Sequence, residues 1–308
     1  MSQFTVGCVS YVNAIPLVSR FEDWGDKSPV HVLFDVPSRL PAMLEDGSAQ
    51  AILVSSIDAL RVPGRRMAAG ICIGSHGPVK SVRLFSSVPF AEIKTLAFDA
   101  SSMTSNRLAQ VLLADGYNCR PAVVTRAPDL KTMLAEVDAC VLIGDIGMSA
   151  DGSGLHVMDL GEEWRRQTGK PFVWAAWIGD SNLTPLLASY LVCGAETSAA
   201  GRKLEMDGWR GWVAKRVIGR ENIQALENQL EPTLQKLIDR AMRHAHWNAD
   251  VVRDYYLNVM VYGMEEEMLE GYREFQRRLL ANGFDDCRYF PELVNFDMAA
   301  LIAEADAA

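Results

Sequence analysis

Up to about residue 180 the chain alternates short apolar runs with amphipathic stretches, a rhythm that points to an α/β architecture. Phe4–Val9 reads as a first strand, Val30–Phe34 as a second and Ala51–Val54 as a third. Ser38 reads as the N-cap of a short helix, Arg39–Asp46, which Gly47 ends. Ile71–Ile73 and Ser81–Phe85 read as further strands joined by the turn Gly74–Pro78. Lys94–Asp99 opens a second α/β unit with a helix over Ser102–Asp115 that stops at Gly116. Strands follow at Pro121–Thr125 and Val137–Ile143, with a helix near Asp129–Glu136 between them. Gly161 and Gly169 bracket one short helix, and Pro171–Ile178 is apolar enough for a central strand.

Beyond Thr184 the segments near 184–200, 221–246, 249–257 and 264–281 show helical periodicity, many charges and no strand-like alternation. The pattern predicts two lobes with mostly parallel sheets. Residues 1–86 and 177–308 would form the first, with a helical C-terminal wrap, and 87–176 would be inserted as the second. Two crossings between lobes leave a cleft, where small ligands usually bind.

The 308 residues suffice for two such units at roughly 150 residues each. Hydrophobic residues make up 49% and charged ones 22%, which excludes disordered, collagenous and coiled-coil chains. Thirty Lys and Arg against 39 Asp and Glu give a net charge of −9, with no basic cluster. That balance argues against a nucleic-acid partner and against an anionic membrane surface, leaving a small molecule as the expected partner. An anionic ligand would have to be held by local groups against the global field. The cysteines (Cys8, Cys72, Cys119, Cys140, Cys193 and Cys287) show no CxxC and no zinc spacing, so they read as reduced core thiols in a reducing compartment. The opening has no basic residue before Arg20, unlike a signal peptide, and no apolar run reaches bilayer length. The expected location is cytoplasmic.

The chemistry-bearing residues cluster at strand ends, where open α/β sheets place their ligand crevice. Ser10, Tyr11 and Asn13 follow the first strand, and Ser55 and Ser56 the third. Ser75 and His76 sit in the turn before Ser81, while Gly144 and Asp145 follow Val137–Ile143. The segment Asp99–Ser105 is the richest, with Ser101, Ser102, Thr104 and Ser105 opening a helix whose free N–H groups suit a carboxylate. Plain N-capping is the competing reading of the same hydroxyls. His76 is a candidate base, although a turn histidine is more often just solvated. His244 and His246 stand two apart on a helix and so point to different faces, which disfavours a metal site. Asp99 and Asp145 are candidates for a carboxylate pair or for simple caps. Trp164, Trp174 and Trp177 are candidates for a pocket wall, with core packing as the default.

Several segments in order resemble one family, the chorismate dehydratases of the futalosine route to menaquinone. They are Val9–Leu17 (VSYVNAIPL), Val36–Leu40, Ala51–Ile57, Ile73–Val82, Asp99–Ser105, Leu142–Asp145 and Asp159–Val173. The resemblance runs from residue 6 to about 178; the helical tail matches only in character, and its last ~25 residues read as an extension. It implies a two-lobed, type II periplasmic-binding-protein-like fold used as a cytoplasmic enzyme. It also implies loss of water from chorismate to give 3-[(1-carboxyvinyl)oxy]benzoate, with no cofactor and no metal. Asn13 is then the expected catalytic residue. Ser10, Tyr11, Ser38, Ser55, Ser56, Ser75, Ser81, Ser101, Ser102, Thr104, Ser105 and Asp145 form the expected substrate-binding set. The sister enzyme that makes 1,4-dihydroxy-6-naphthoate is an alternative, although its Pro-Cys-Pro-Asn-Asp type turn is replaced here by Ser10-Tyr-Val-Asn13. A solute-binding protein for a small anion is the other alternative, and it would require export.

Overall fold

A computed structural model describes residues 4–37, 39–195, 223–245, 247–297, 299–300 and 303, with the backbone alone described over 223–230. The chain begins with β1 (Phe4–Cys8), α1 (Ile15–Trp24), β2 (Val30–Phe34), α2 (Leu40–Glu45), β3 (Ala51–Ser55) and α3 (Asp58–Arg61). It continues with β4 (Arg66–Ala68), β5 (Ile73–Ser75), β6 (Arg83–Ser86), β7 (Thr95–Asp99), α4 (Thr104–Tyr117) and β8 (Ala122–Arg126). Next come α5 (Leu130–Leu134), β9 (Ala139–Leu142), α6 (Gly144–Ser149), β10 (His156–Asp159), α7 (Leu160–Thr168), β11 (Phe172–Gly179) and α8 (Pro185–Gly194). The described C-terminal elements are α9 (Ile223–Ala245), α10 (Ala249–Asp254), α11 (Glu266–Ala281) and β12 (Glu292–Val294).

These strands form two sheets. The first runs β12-β4-β11-β3-β1-β2, with β5 also on β11, and the second runs β10-β6-β9-β7-β8. The expectation of mostly parallel sheets is corrected, because both are mixed. Strands linked by helices within one sheet pair in parallel, β1 with β2 and β3, β7 with β8 and β9. Strands that enter a sheet from the other one run the opposite way: β6 is antiparallel to β9 and β10, and β11 to β3, β4 and β5. The expected boundary near residue 87 falls after β6, which already pairs in the second sheet, so the first crossing lies between Ser75 and Arg83. The return is complete by Phe172, ahead of the expected 177.

The core explains much of the apolar sequence. Trp164 and Trp177 are fully buried, and Trp164 packs edge-on against Phe172 and Phe275 with ring centroids 5.2 and 6.1 Å apart. Five of the six cysteines are buried and Cys193 is half-buried, and burial pushes the Cys140 thiol up to about 12. α11 packs on β11 so closely that a Cβ on Gly271 would sit 2.1 Å from the Pro171 carbonyl oxygen. The expected all-helical tail is corrected at its end, where Glu292–Val294 adds a parallel edge strand on β4. Three residues are too few to show alternation in sequence. Among the described residues no helix is long and apolar enough to cross a membrane, and no group of metal-ligating side chains is present.

Candidate active site

A cavity lies between the two sheets at the carboxyl ends of the parallel strands β1, β3, β7 and β9. The first sheet contributes the residues after β1, Ser55 at the end of β3, Ile73 on β5, and Trp174 and Ala175 on β11. The second contributes Ser101, Ser102 and Ser105 after β7, and Ile143 and Gly144 after β9. Among the described residues, no charged side chain lines it. Its volume is about 60 Å3, small beside the ~300–1,000 Å3 of ordinary ligand pockets.

Local chemistry places Asn13 on the wall. Pro16, in the first turn of α1, is preceded by a 3-10 turn over Val12–Ala14, closed by the Ala14 N–H donating to the Tyr11 carbonyl at 3.0 Å. Asn13 borders the cavity, and its Oδ1 is buried without a hydrogen-bond partner. An unpaired buried acceptor costs roughly 1–3 kcal/mol, so the atom is a natural seat for a ligand donor. The Tyr11 ring lies over Gly144, whose φ of +59° suits glycine and where a Cβ would meet the ring at 3.4 Å. Burial pushes the Tyr11 hydroxyl up, against the pull of its hydrogen bond to Ser101, and the charges of Asp99 and Asp145 add to the rise.

Asp99 organises the opposite wall. Its Oδ1 accepts from the Ser101 N–H at 2.8 Å and the Ser101 hydroxyl at 2.5 Å, and its Oδ2 accepts from the Ile143 N–H at 3.3 Å. Burial raises the Asp99 carboxyl, and the Ser101 and Ile143 donors pull it back down. The Asn106 amide donates to the Asp99 and Ser102 carbonyls at 2.9 and 2.5 Å, so the head of α4 is tied to the end of β7. The helix starts at Thr104, later than the expected Ser102, because Ser101 spends its side chain on Asp99 and no side chain caps the helix.

The structure therefore brings together Tyr11, Asn13, Ser55, Ser101, Ser102 and Ser105 of the expected set, and it places most of the others outside the cavity lining. The Ser56 hydroxyl donates to the Val173 carbonyl at 2.7 Å, and Thr104 Oγ1 accepts from the Ile57 N–H at 3.1 Å. These two residues join the sheets behind the cavity. The Ser75 hydroxyl donates to the Gly77 carbonyl and accepts from Trp174 Nε1, both at 3.1 Å. Ser81 is buried with its hydroxyl 2.8 Å from that of Tyr255. Ser10 faces solvent two residues past the end of β1, and its carbonyl accepts from His244. Asp145 lies 3.4 Å from His244 Nε2 and takes the Val12 N–H, which holds the strand-end turn from outside the cavity. Burial raises its carboxyl, with His244 and that N–H opposing. Asp99 and Asp145 thus serve different partners and do not act as a pair. His76 is exposed, away from the cavity lining, and Ser38 and His246 lie outside the described residues.

Of the three candidate wall tryptophans, Trp174 lines the cavity while Trp164 and Trp177 pack the core, a division that needs the bulge in the β11–β5 pairing near Val173 and Ala175 to be visible. Three contributors escaped the sequence reading. Tyr255, Tyr256 and Tyr262 gather around the Asn13 turn from the C-terminal segment. The only signal for them was three closely spaced tyrosines in an otherwise charged helical tail.

Two mixed sheets joined by two crossings over a central cavity define a periplasmic-binding-protein-like fold. The alkanesulfonate-binding protein SsuA of Xanthomonas axonopodis pv. citri superposes over 96% of both chains with a TM-score of 0.57 at 14% identity. Protein AF1704 of Archaeoglobus fulgidus superposes with a TM-score of 0.61 at 15% identity, covering 92% of this chain and 98% of that one. Residues 4–192 match the menaquinone-biosynthesis family, and the chain belongs to it. A chorismate dehydratase of Campylobacter jejuni is 29% identical over 176 residues, which spans 55% of this chain and 64% of that relative's length.

Proposed function

We propose that the protein is a cytoplasmic chorismate dehydratase, a lyase that removes water from chorismate to form 3-[(1-carboxyvinyl)oxy]benzoate. The observation that carries this reading is a largely apolar cavity whose polar groups come from Ser, Tyr and Asn, with no charged side chain among the described lining residues, in a menaquinone-biosynthesis chain. Chorismate carries two carboxylates, an acidic C3–H and a leaving hydroxyl at C4. As the C3 proton leaves, its electron pair moves through the ring diene onto the ring carboxylate and returns to expel the C4 hydroxyl. The hydroxide takes up the proton, so one water leaves for each benzene ring formed.

In this reading the site stabilises the charge that builds on the ring carboxylate. Ser102, Ser105 and the free N–H groups at the head of α4 are neutral donors for it. Ser55 faces the second carboxylate from the other wall. The substrate's own enolpyruvyl carboxylate, held against C3, takes the proton and passes it to the departing C4 hydroxide, so that positioning stands in for a protein base. Asn13 Oδ1 accepts from the C4 hydroxyl and orients it. The sheets part to admit the ring and close again to exclude water, and we assign residues 83–159 to the moving lobe.

Incubation with chorismate tests the reading. An aromatic product rising in absorbance supports it. Binding without turnover would point to a solute-binding role, and turnover of cyclic de-hypoxanthinyl futalosine to the sister activity. The paired substitution Ser102→Ala and Ser105→Ala is expected to raise KM about tenfold, the loss of about 1.4 kcal/mol of binding. An unchanged KM in steady-state kinetics would remove that wall from the carboxylate site.

A further inference from the structure

The turn that carries Asn13 is held mostly from a distant part of the chain. His244 Nε2 donates to the Ser10 carbonyl at 2.8 Å, the Tyr256 hydroxyl to the Val12 carbonyl at 2.8 Å, and the Tyr262 hydroxyl to the Asn13 carbonyl at 3.1 Å. These partners stand between 234 and 249 residues away in sequence. The Tyr255 hydroxyl, 2.8 Å from Ser81 Oγ, also interacts with the Asn13 carboxamide. The family match ends at residue 192, so all of these tail residues lie outside it.

The backbone shows why the tail can reach. A π-helical turn over Tyr255–Val259 follows α10 and leaves both Tyr255 and Tyr256 buried, where successive residues of an α-helix would diverge. Val261 then pairs with Gly74, each N–H donating to the other's carbonyl at 2.8 Å, which fastens the segment to β5 one residue before Tyr262. Burial pushes all three phenols up, so they remain protonated donors at any ordinary pH.

We propose that His244, Tyr255, Tyr256 and Tyr262 form a clamp that aims Asn13, with Tyr256 and Tyr262 as positioning residues for the reaction. The kinetic part rests on the function proposed above. Tyr→Phe keeps the ring and its packing and deletes only the donor. The double variant Tyr256→Phe with Tyr262→Phe is expected to lower kcat about ten- to hundredfold with KM within about twofold, since misplacement near 1 Å costs on the order of 10²-fold. In an Asn13→Ala background the same double variant is expected to bring no further loss, because both act through one group. Hydrogen exchange, read independently of activity, is expected to accelerate at the amides of residues 11–15 and stay unchanged in β3 and β11. Should the double variant fail to fold, Tyr262→Phe alone carries the same readouts. Unchanged exchange at residues 11–15, or a kcat loss that adds fully to that of Asn13→Ala, overturns the clamp. A wild-type protein inert toward chorismate overturns the reaction instead, and the clamp then stands or falls on exchange.

Discussion

Asn13→Ala is expected to lower kcat for chorismate by about 10²–10³-fold, the usual loss when one preorganised polar partner is removed from a reacting centre. The carboxamide borders the cavity with Oδ1 buried and unpaired, and among the described residues no charged side chain of the lining stands ready to replace it. His76→Ala is expected to leave kcat within about twofold, since that side chain is exposed and off the cavity lining. Steady-state kinetics on both variants decide the matter. A loss of tenfold or less in Asn13→Ala beside a thousandfold loss in His76→Ala would make histidine the base and overturn the proposed mechanism.

The largest stability effect is expected at Gly271→Ala, about 3 kcal/mol of destabilisation from overpacking. Alanine in a helix interior would ordinarily gain close to 1 kcal/mol over glycine, so the sign itself is diagnostic. The new methyl would meet the Pro171 carbonyl at 2.1 Å, and a backbone atom at the entrance to β11 has little room to yield. Movement of α11 would in turn disturb Tyr272, whose hydroxyl donates to the Ser56 carbonyl at 2.7 Å beside the cavity. Urea unfolding monitored by circular dichroism measures the effect. A midpoint equal to or above that of the parent would show that α11 does not seat on Pro171 as described.

The strands and the site divide differently in how much of each was legible beforehand. β1, β2, β3, β7 and β9 were readable because each is a compact apolar run followed by polar residues; β3 and β9 lie in the sheet interior, where burial on both faces demands that composition, while β2 stands at the edge with His31 and Phe34 exposed. β6 was readable as a strand, but its membership of the second sheet was not, since pairing with β9 and β10 depends on where the crossing falls. At the site, the hydroxyls of Ser55, Ser102 and Ser105 share the cavity wall, while Ser56, Thr104, Ser75 and Ser81 look identical in sequence and are consumed by internal hydrogen bonds. A strand end offers side chains to both the cleft and the interior, and composition does not distinguish the two.

What the residues alone determined was the α/β class, the crowding of neutral hydrogen-bonding groups at strand ends and the acidic net charge, because periodicity and charge are local properties of the chain. Which hydroxyls face the cavity, and the grip of Tyr256 and Tyr262 on the Asn13 turn, were decided only on folding. Those contacts join residues more than 240 positions apart, as with Tyr256 and Val12 at 244. Their geometry is set by packing against a third element, which no local pattern encodes.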